Sequence, residues 1–191
     1  IASCLVGSEM CIRDSQCIAS NPDDVVAMHI KASRPKAITM ELELKLLRQA
    51  NVVASGNQLI YTGNAEFEKH GKGGVHFEGR IAVQIKGGTI KAEGKKLYIE
   101  KATEVTLLSD VRTNFKNNTF SGYNYKIKCE KTIELASKKD FKTLKKKHIE
   151  DYSPLFSRVG LSFEHHAKFD HLPNDERCLL YTSPSPRDKR Q

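Results

Sequence analysis

Residues Val75–Thr113 read VHFEGRIAVQIKGGTIKAEGKKLYIEKATEVTLLSDVRT. Phe77, Ile81, Val83 and Ile85 place apolar groups at even spacing, which predicts a long strand over Val75–Lys86. Gly79 interrupts that run and reads as a bulge. Gly87-Gly88 signals a tight hairpin. Thr89–Ala92, Lys96–Lys101 and Glu104–Thr113 follow as further strands, the first two parted by Gly94-Lys95. Strands this closely spaced and joined by glycine-containing turns predict an antiparallel β-sandwich.

Upstream, Val25–Lys31 reads as a strand with Val26, Met28 and Ile30 on one face. Asn21-Pro22-Asp23-Asp24 before it and Ser33-Arg34-Pro35-Lys36 after it are turn signals. Ala37–Lys45 then alternates strictly, with Ile38, Met40, Leu42 and Leu44 inward and Thr39, Glu41, Glu43 and Lys45 outward. The short turn between these two runs predicts that they pair as antiparallel neighbours. Gln58–Thr62 is a shorter strand framed by Gly56-Asn57 and Gly63-Asn64, and His70–Gly74 is a loop.

Downstream, Arg112–Gly122 is polar and turn-rich. Tyr123–Ile133 fits two periods. Tyr123, Tyr125, Ile127 and Cys129 alternate, whereas Tyr125, Cys129, Ile133 and Ala136 follow helical spacing. Helix-favouring Lys, Glu, Leu and Ala dominate 126–138 and decide for a helix. Asp140 N-caps a second helix. Its residues Phe141, Leu144, His148, Tyr152 and Leu155 recur at steps of three and four, the period of one buried face. Lys142, Lys145, Lys146, Lys147 and Glu150 turn to water, and Pro154 ends or kinks the helix. In Arg158–Phe163 the residues Val159, Leu161 and Phe163 alternate as in a strand. The predicted class is mainly β: an antiparallel β-sandwich, a two-helix linker and a short strand.

Both ends read differently. Leu5–Ser15 is LVGSEMCIRDS and Cys178–Asp188 is CLLYTSPSPRD. Leu5–Asp14 can be encoded CTCGTGGGCTCGGAGATGTGTATAAGAGAC, with AG opening the next codon. The reverse complement, shifted by one base, encodes the ten residues Cys178–Arg187. One oligonucleotide on opposite strands explains both ends, so 1–15 and 178–191 are read as translated sequencing adapter and are expected not to pack on the core. Their removal takes away four basic and three acidic residues and leaves the net charge of +8 almost unchanged. Cys17 and Cys129 remain, too few for a disulfide framework, with one disulfide between them left open.

Hydrophobic residues make up 39% and charged residues 28% of the chain, ordinary for a globular protein. No run of apolar residues is long enough to span a membrane as a helix. The basic excess reads as a solvated surface, because the lysines are spread over strands and helices.

Several stretches carry a family resemblance. One is His148-x-x-Asp151-Tyr152-x-x-Leu155-Phe156-x-Arg158-Val159-x-Leu161. Another is Val83…Gly87-Gly88…Gly94-x-x-Leu97…Ala102-x-x-Val105-Thr106-Leu107-Leu108. Ser20, Pro22, Asp23 and Val25, then Ser33, Pro35 and Ile38, form a pair of turn-and-strand patterns, with Lys36 standing where the pattern often has glycine. Leu172-Pro173-x-Asp175-Glu176-Arg177 is a fourth. Together they resemble the N-terminal β-sandwich domain and helical linker of glycoside hydrolase family 95, the α-L-fucosidase family. The resemblance implies a partial sandwich over 16–122, a helical linker and closing strand over 123–163, and a connector over 164–177 leading to a catalytic barrel outside this sequence. It implies an inverting enzyme acting on fucosylated oligosaccharide or glycan through that barrel, in the periplasm or outside the cell. A free-standing carbohydrate-binding module is the alternative, though the sequence has no Trp for stacking on sugar rings. The N-terminal domain of a disaccharide phosphorylase-like enzyme is another.

Nothing in the sequence itself assigns chemistry. Inversion at a glycosidic bond needs two carboxyl groups flanking it with a water between. Glu41 and Glu43 share one strand face, and Asp23-Asp24 lie in a turn, so neither pair fits. His165, His166, Asp170 and His171 lack the spacing of a zinc site and read as a solvated connector. Gly71–Gly74 and Gly87-Gly88 do not make a phosphate loop. Lys138, Lys139 and Lys145–Lys147 form a basic patch without an aromatic platform, and no nucleic-acid partner is expected. Asn114, Asn117 and Asn118 read as a surface loop rather than a sugar contact. No catalytic, cofactor-binding or metal-binding residue is assigned, and no cofactor is expected.

Overall fold

The computed structural model describes residues 13–47, 50–65, 74–116, 119–120, 124–160, 172–173 and 176. The chain divides after Leu155 into two units. The first holds eleven strands in the described residues: β1 (Arg13–Ser20), β2 (Val25–Ala32), β3 (Ile38–Glu43), β4 (Ala50–Ser55), β5 (Gln58–Ala65), β6 (Val75–Lys86), β7 (Thr89–Glu93), β8 (Lys96–Ala102), β9 (Glu104–Thr113), β10 (Phe115–Lys116) and β11 (Thr119–Phe120). Two helices follow, α1 (Tyr125–Ser137) and α2 (Phe141–Phe156), the last residue of α2 belonging to the second unit. Beyond the helix, the described part of that unit is a turn at Ser157-Arg158, then Val159-Gly160 and three isolated residues.

Six strands form one antiparallel sheet in the order β1-β2-β9-β6-β5-β4, three form a second in the order β3-β8-β7, and β10 and β11 pair by themselves. Strand period 2 gives the large sheet two working faces. One face carries Leu59, Val83 and Val105 and packs on Ile38, Leu97, Ile99 and Ala102 of the small sheet. The opposite face carries Val25, Ala27, Ala82 and Leu108 and packs on Ile133 and Ala136 of α1 and Phe141 and Leu144 of α2. The molecule is therefore a β-sandwich with its helical linker laid over the outer face of the larger sheet.

Both helices form as their spacing predicts. Asn124 caps α1 by accepting the Ile127 N–H at 3.2 Å, and Cys129, Thr132, Ile133 and Ala136 make its buried stripe. Asp140 caps α2 by accepting the Thr143 N–H at 2.9 Å, and its carboxyl is held below the usual range by that residue's hydroxyl and backbone N–H.

Several expectations need correction. Val26 and Met28 are exposed, and β2 is buried instead at Val25 and Ala27, on the opposite face under the helices, and at Ala32, where the small sheet covers the far end of the Val26–Met28–Ile30 face. Strands β2 and β3 do not pair: the Ser33–Lys36 turn carries the chain from one sheet to the other, and β3 pairs with β8. Gly87-Gly88 is likewise a crossing between sheets rather than a hairpin. Gly88 is needed there, since it holds a φ of 74° and a Cβ would strike the backbone of Glu100 and Lys101. No bulge occurs at Gly79, which stays in register with Tyr61 and Val111. The glycine makes room for the Tyr61 ring, which a Cβ would overlap. The register shift of this sandwich is in β3, between Ile38 and Met40. Strands β4, β10 and β11 were not expected, and β1 begins at Arg13 rather than after the adapter-like end. Asp14 and Ser15 pair with Lys31 and Ile30 through backbone alone while their side chains stay exposed.

The second helix departs most. Phe141 and Leu144 are buried, but Tyr152 and Leu155 are 49% and 54% exposed. The helix crosses the Asn21–Asp24 turn at Lys147 and Asp151, whose side chains meet Asp23 at 3.7 Å and Asn21 at 3.3 Å. Past that point the helix overhangs the turn that closes β1 and β2. Pro154 lies inside the helix, which continues to Phe156. Its missing N–H leaves the Glu150 carbonyl without a helical donor, and exposure there lets water replace it. The expected closing strand lies mostly outside the described residues; Val159 and Gly160 carry no regular structure.

Candidate functional site

A polar cleft lies where the helix pair lands on the large sheet. A cleft of ≈ 660 Å³ is floored by His29 of β2, Gln84 of β6, and Glu104 and Thr106 of β9, and walled by the α1–α2 loop and the start of α2. His29, Thr106 and Gln84 occupy adjacent positions across three strands. The His29 ring stacks on Phe141 with centroids 4.6 Å apart and planes 10° apart. Its Nδ1 lies 2.9 Å from the Thr106 hydroxyl. Burial disfavours the imidazolium and lowers the His29 pKa, the Glu104 carboxylate opposing and Lys31 assisting. Gln84 Nε2 donates to the Ser137 carbonyl at 2.7 Å and the Lys139 carbonyl at 3.2 Å, taking up backbone acceptors freed at the end of α1. Glu104 lies 3.5 Å from both Lys31 and Lys86. Of these groups, His29 and Gln84 hold the linker to the sheet, while Glu104 and Thr106 bond their neighbours within the sheet.

A second polar layer lies under α1. Arg80 sits opposite Asp110 and Glu78 opposite Arg112 in the β6–β9 register. Within each strand the charges also pair, Arg80 with Glu78 at 2.9 Å and Arg112 with Asp110 at 2.8 Å. From above, Glu130 of α1 reaches Arg80 at 3.2 Å and the Cys129 thiol lies 3.5 Å from the Asp110 carbonyl. Asp24 reaches Arg112 at 2.7 Å. Burial, with Asp110 and Glu78 nearby, pushes the Cys129 thiol up to about 12. That thiol is inert at neutral pH. At the other end of the linker, Asp23 is buried in contact with Lys139 and Ser20, with Lys147 nearby. Burial alone would raise its pKa; the Lys139 hydrogen bond and charge, with Ser20 and Lys147, hold it below the usual carboxylate value.

The residues singled out by sequence are dispersed. Glu41 and Glu43 flank Lys96 on the small sheet at 2.5 and 3.6 Å. Asp23 and Asp24 point to different partners. The basic patch is largely neutralised: Lys138 pairs with Glu134, Lys139 and Lys147 with Asp23, and Lys146 with Glu150, while Lys145 donates to Gln16. Asn114 accepts the His76 N–H at 3.0 Å and returns its own N–H to the His76 carbonyl, so it fastens the start of β6. Asn117, Asn118, the His70–Gly73 part of the glycine-rich loop, and His165, His166, Asp170 and His171 lie outside the described residues. Cys17 and Cys129 are free thiols. Among the described residues no group of His, Cys, Asp and Glu could hold a metal, and no helix is long and apolar enough to cross a membrane. The cleft residues His29, Gln84 and Thr106 were missed. Their signal is present: each is a polar residue at a position that alternates with Ala27, Ala82 and Leu108 on one sheet face.

The fold and this docking site define a β-sandwich domain bound to a helical linker. The sequence model described as "Glycosyl hydrolase family 65, N-terminal domain" matches residues 7–118, more than half of the chain, and the chain belongs to that family. It is similar to "Alpha-L-fucosidase 2" of Arabidopsis thaliana, 27% identical over 169 residues that cover 75% of this chain and 20% of that protein. It is also similar to "Probable alpha-fucosidase A" of Aspergillus niger, 26% identical over 192 residues, covering 90% of this chain and 23% of that one. The chain spans about a fifth of the length of these curated relatives. A solved structure, "Putative kojibiose phosphorylase from human microbiome", shares the fold with a TM-score of 0.50 at 12% identity, over 76% of this chain and 22% of that one. The resemblance read from the sequence, to the N-terminal domain of a glycoside hydrolase, is borne out. The matching family model is numbered 65, and the two curated relatives bear fucosidase names.

Proposed function

We propose that the chain is the non-catalytic N-terminal portion of a glycoside hydrolase whose intact form releases fucose, with inversion, from fucosylated glycans. The observation that carries this reading is the pair of fucosidase relatives, in each of which the aligned segment makes up about a fifth of the length. The disposition of the carboxylates supports it. Inversion needs two carboxyl groups facing each other across a water-sized gap. In the cleft, Glu104 is held between two lysines and Asp140 is committed to the α2 cap. The sandwich and linker then serve as a scaffold beside a barrel that supplies the acid and the base.

The test compares two proteins on one fucosylated oligosaccharide. The purified 191-residue chain is expected to release no fucose. The intact parent is expected to release it, with the β-anomer appearing first by NMR. Turnover by the chain that disappears on mutating one of its own residues would overturn the reading. A disaccharide phosphorylase parent is the second reading, favoured by the family 65 description and the shared fold. It predicts that sugar release needs inorganic phosphate and yields a sugar phosphate.

A further inference from the structure

The turn between β1 and β2 meets the linker with three of its four residues. Asn21 Nδ2 donates to the Asp151 carboxylate of α2 at 3.3 Å. The Asp23 carboxylate, its side chain 1% exposed, pairs with Lys139 of the α1–α2 loop and lies 3.7 Å from Lys147 of α2. Asp24 lies 4.0 Å from Lys128 of α1 and 2.7 Å from Arg112 of β9. Asp24 also holds a φ of 59°, in the left-handed region. Such a conformation persists where its surroundings fix it. Here Arg112, bonded in turn to Asp110 at 2.8 Å, pins the Asp24 carboxylate to the sheet. The turn also lies where α2 loses apolar support. Leu144 is fully buried, whereas Ile149, Tyr152 and Leu155 are about half exposed. Past Leu144, Lys145 bonds Gln16 of β1 at 2.8 Å, and Lys147 and Asp151 reach the turn.

We propose that the Asn21–Asp24 turn is a polar latch for the second half of α2. Asp24 fastens the turn to β9, and Asn21 and Asp23 hold the helix. This half can then leave the sandwich while Phe141 and Leu144 keep the first half docked. The two halves are held by different forces. Phe141 and Leu144 are held by burial, which salt does not screen. Lys147 and Asp151 are held by charged contacts at partly exposed positions, which weaken as ionic strength rises. The latch is a property of this chain and stands whatever reaction the parent performs.

Amide hydrogen exchange on the 191-residue chain tests this. Asp23→Asn, and separately Lys147→Met with Asp151→Ala, are expected to speed exchange over residues 150–155 at least about fivefold and to leave β6 and β9 unchanged. Lys147 and Asp151 are exposed, so their pair of substitutions gives an answer even where Asp23→Asn, at a buried site, unfolds the chain. Salt at about 1 M, where the Debye length is about 3 Å, is expected to loosen the same stretch in the wild type and to add little to the double variant. Asp24→Gly separates a latch from a plain turn. Glycine relieves the left-handed backbone, so a plain turn would tighten. The latch instead loses its hold on Arg112, and residues 150–155 exchange faster. Unchanged exchange over 150–155 in the double variant overturns the latch. Loss of protection spread equally over β6 and β9 also overturns it, because the turn would then serve the whole fold. Slower exchange in Asp24→Gly overturns the anchoring through Arg112.

Discussion

Lys36 holds a φ of 59°, in the left-handed region that disfavours a side chain. It follows Pro35, and proline followed by a left-handed residue is the pattern of a type II turn. The conformation is kept because the Lys36 N–H donates to the Thr103 hydroxyl at 3.0 Å, tying the crossing between the sheets to the start of β9. Glycine makes the same bond without strain, at the cost of a more flexible unfolded chain. Lys36→Gly should therefore stabilise the protein by about 0.5–1 kcal/mol in urea unfolding, and a loss of stability would show that the lysine side chain contributes something the turn geometry does not. The departure of this residue from the family's glycine was visible in the sequence; that the departure costs strain is visible only in the backbone. Gly79 is the converse case. Sequence shows a break in a strand, and only the Tyr61 ring lying across it shows why no side chain fits.

At the scale of the element, α2 separates into two halves. Leu144 is fully buried, whereas Leu155 is 54% exposed beyond the Asn21–Asp24 turn. Leu144→Ala should cost about 2–5 kcal/mol, the range for a buried leucine. Leu155→Ala and Lys146→Ala should each change stability by no more than about 0.5 kcal/mol in this chain. Equal losses at 144 and 155 would mean that the helix is covered along its whole length. The period of the apolar residues is continuous from Phe141 to Leu155, so sequence alone assigns one face to both halves. How far the sheet extends beneath that face depends on where β1 turns into β2, a tertiary matter. The same distinction applies to β2, whose two faces are both rich in apolar residues. How much of each is buried follows from what lands on it: the helices cover Val25 and Ala27 on one face, and the small sheet covers only the Ala32 end of the other.

For the whole molecule, the buried polar groups that hold the linker make stability depend on pH. His29 and Asp23 both have pKa values below their ordinary 6.5 and 3.8. A depressed folded pKa means that the unfolded chain binds the proton more readily, so stability rises with pH through each window. The contribution of His29 is fully present above its unfolded value and is lost as pH falls below about 6.5. That of Asp23 persists until pH falls below about 4. The urea midpoint should fall in two stages on acidification. His29→Gln should remove most of the first stage, and Lys139→Met should weaken the protein above pH 5 and flatten the second. A wild-type midpoint constant from pH 8 to pH 5 would show that His29 is as easily protonated folded as unfolded. The sequence by itself determined the local elements, since strand alternation, glycine turns, helix caps and the three-and-four spacing are short-range and each leaves its mark within a few residues. It also carried the family resemblance through motifs that lie along the chain. Only the tertiary structure decided which strands pair, because Ser33–Lys36 and Gly87-Gly88 have the composition of hairpin turns yet cross between sheets. It alone brought His29, Gln84 and Thr106 together under the helix pair and set Asp23 against Lys139, more than a hundred residues away. A buried polar group is stable only with its partner, and the partner's place is fixed by the packing of layers rather than by the residues beside it.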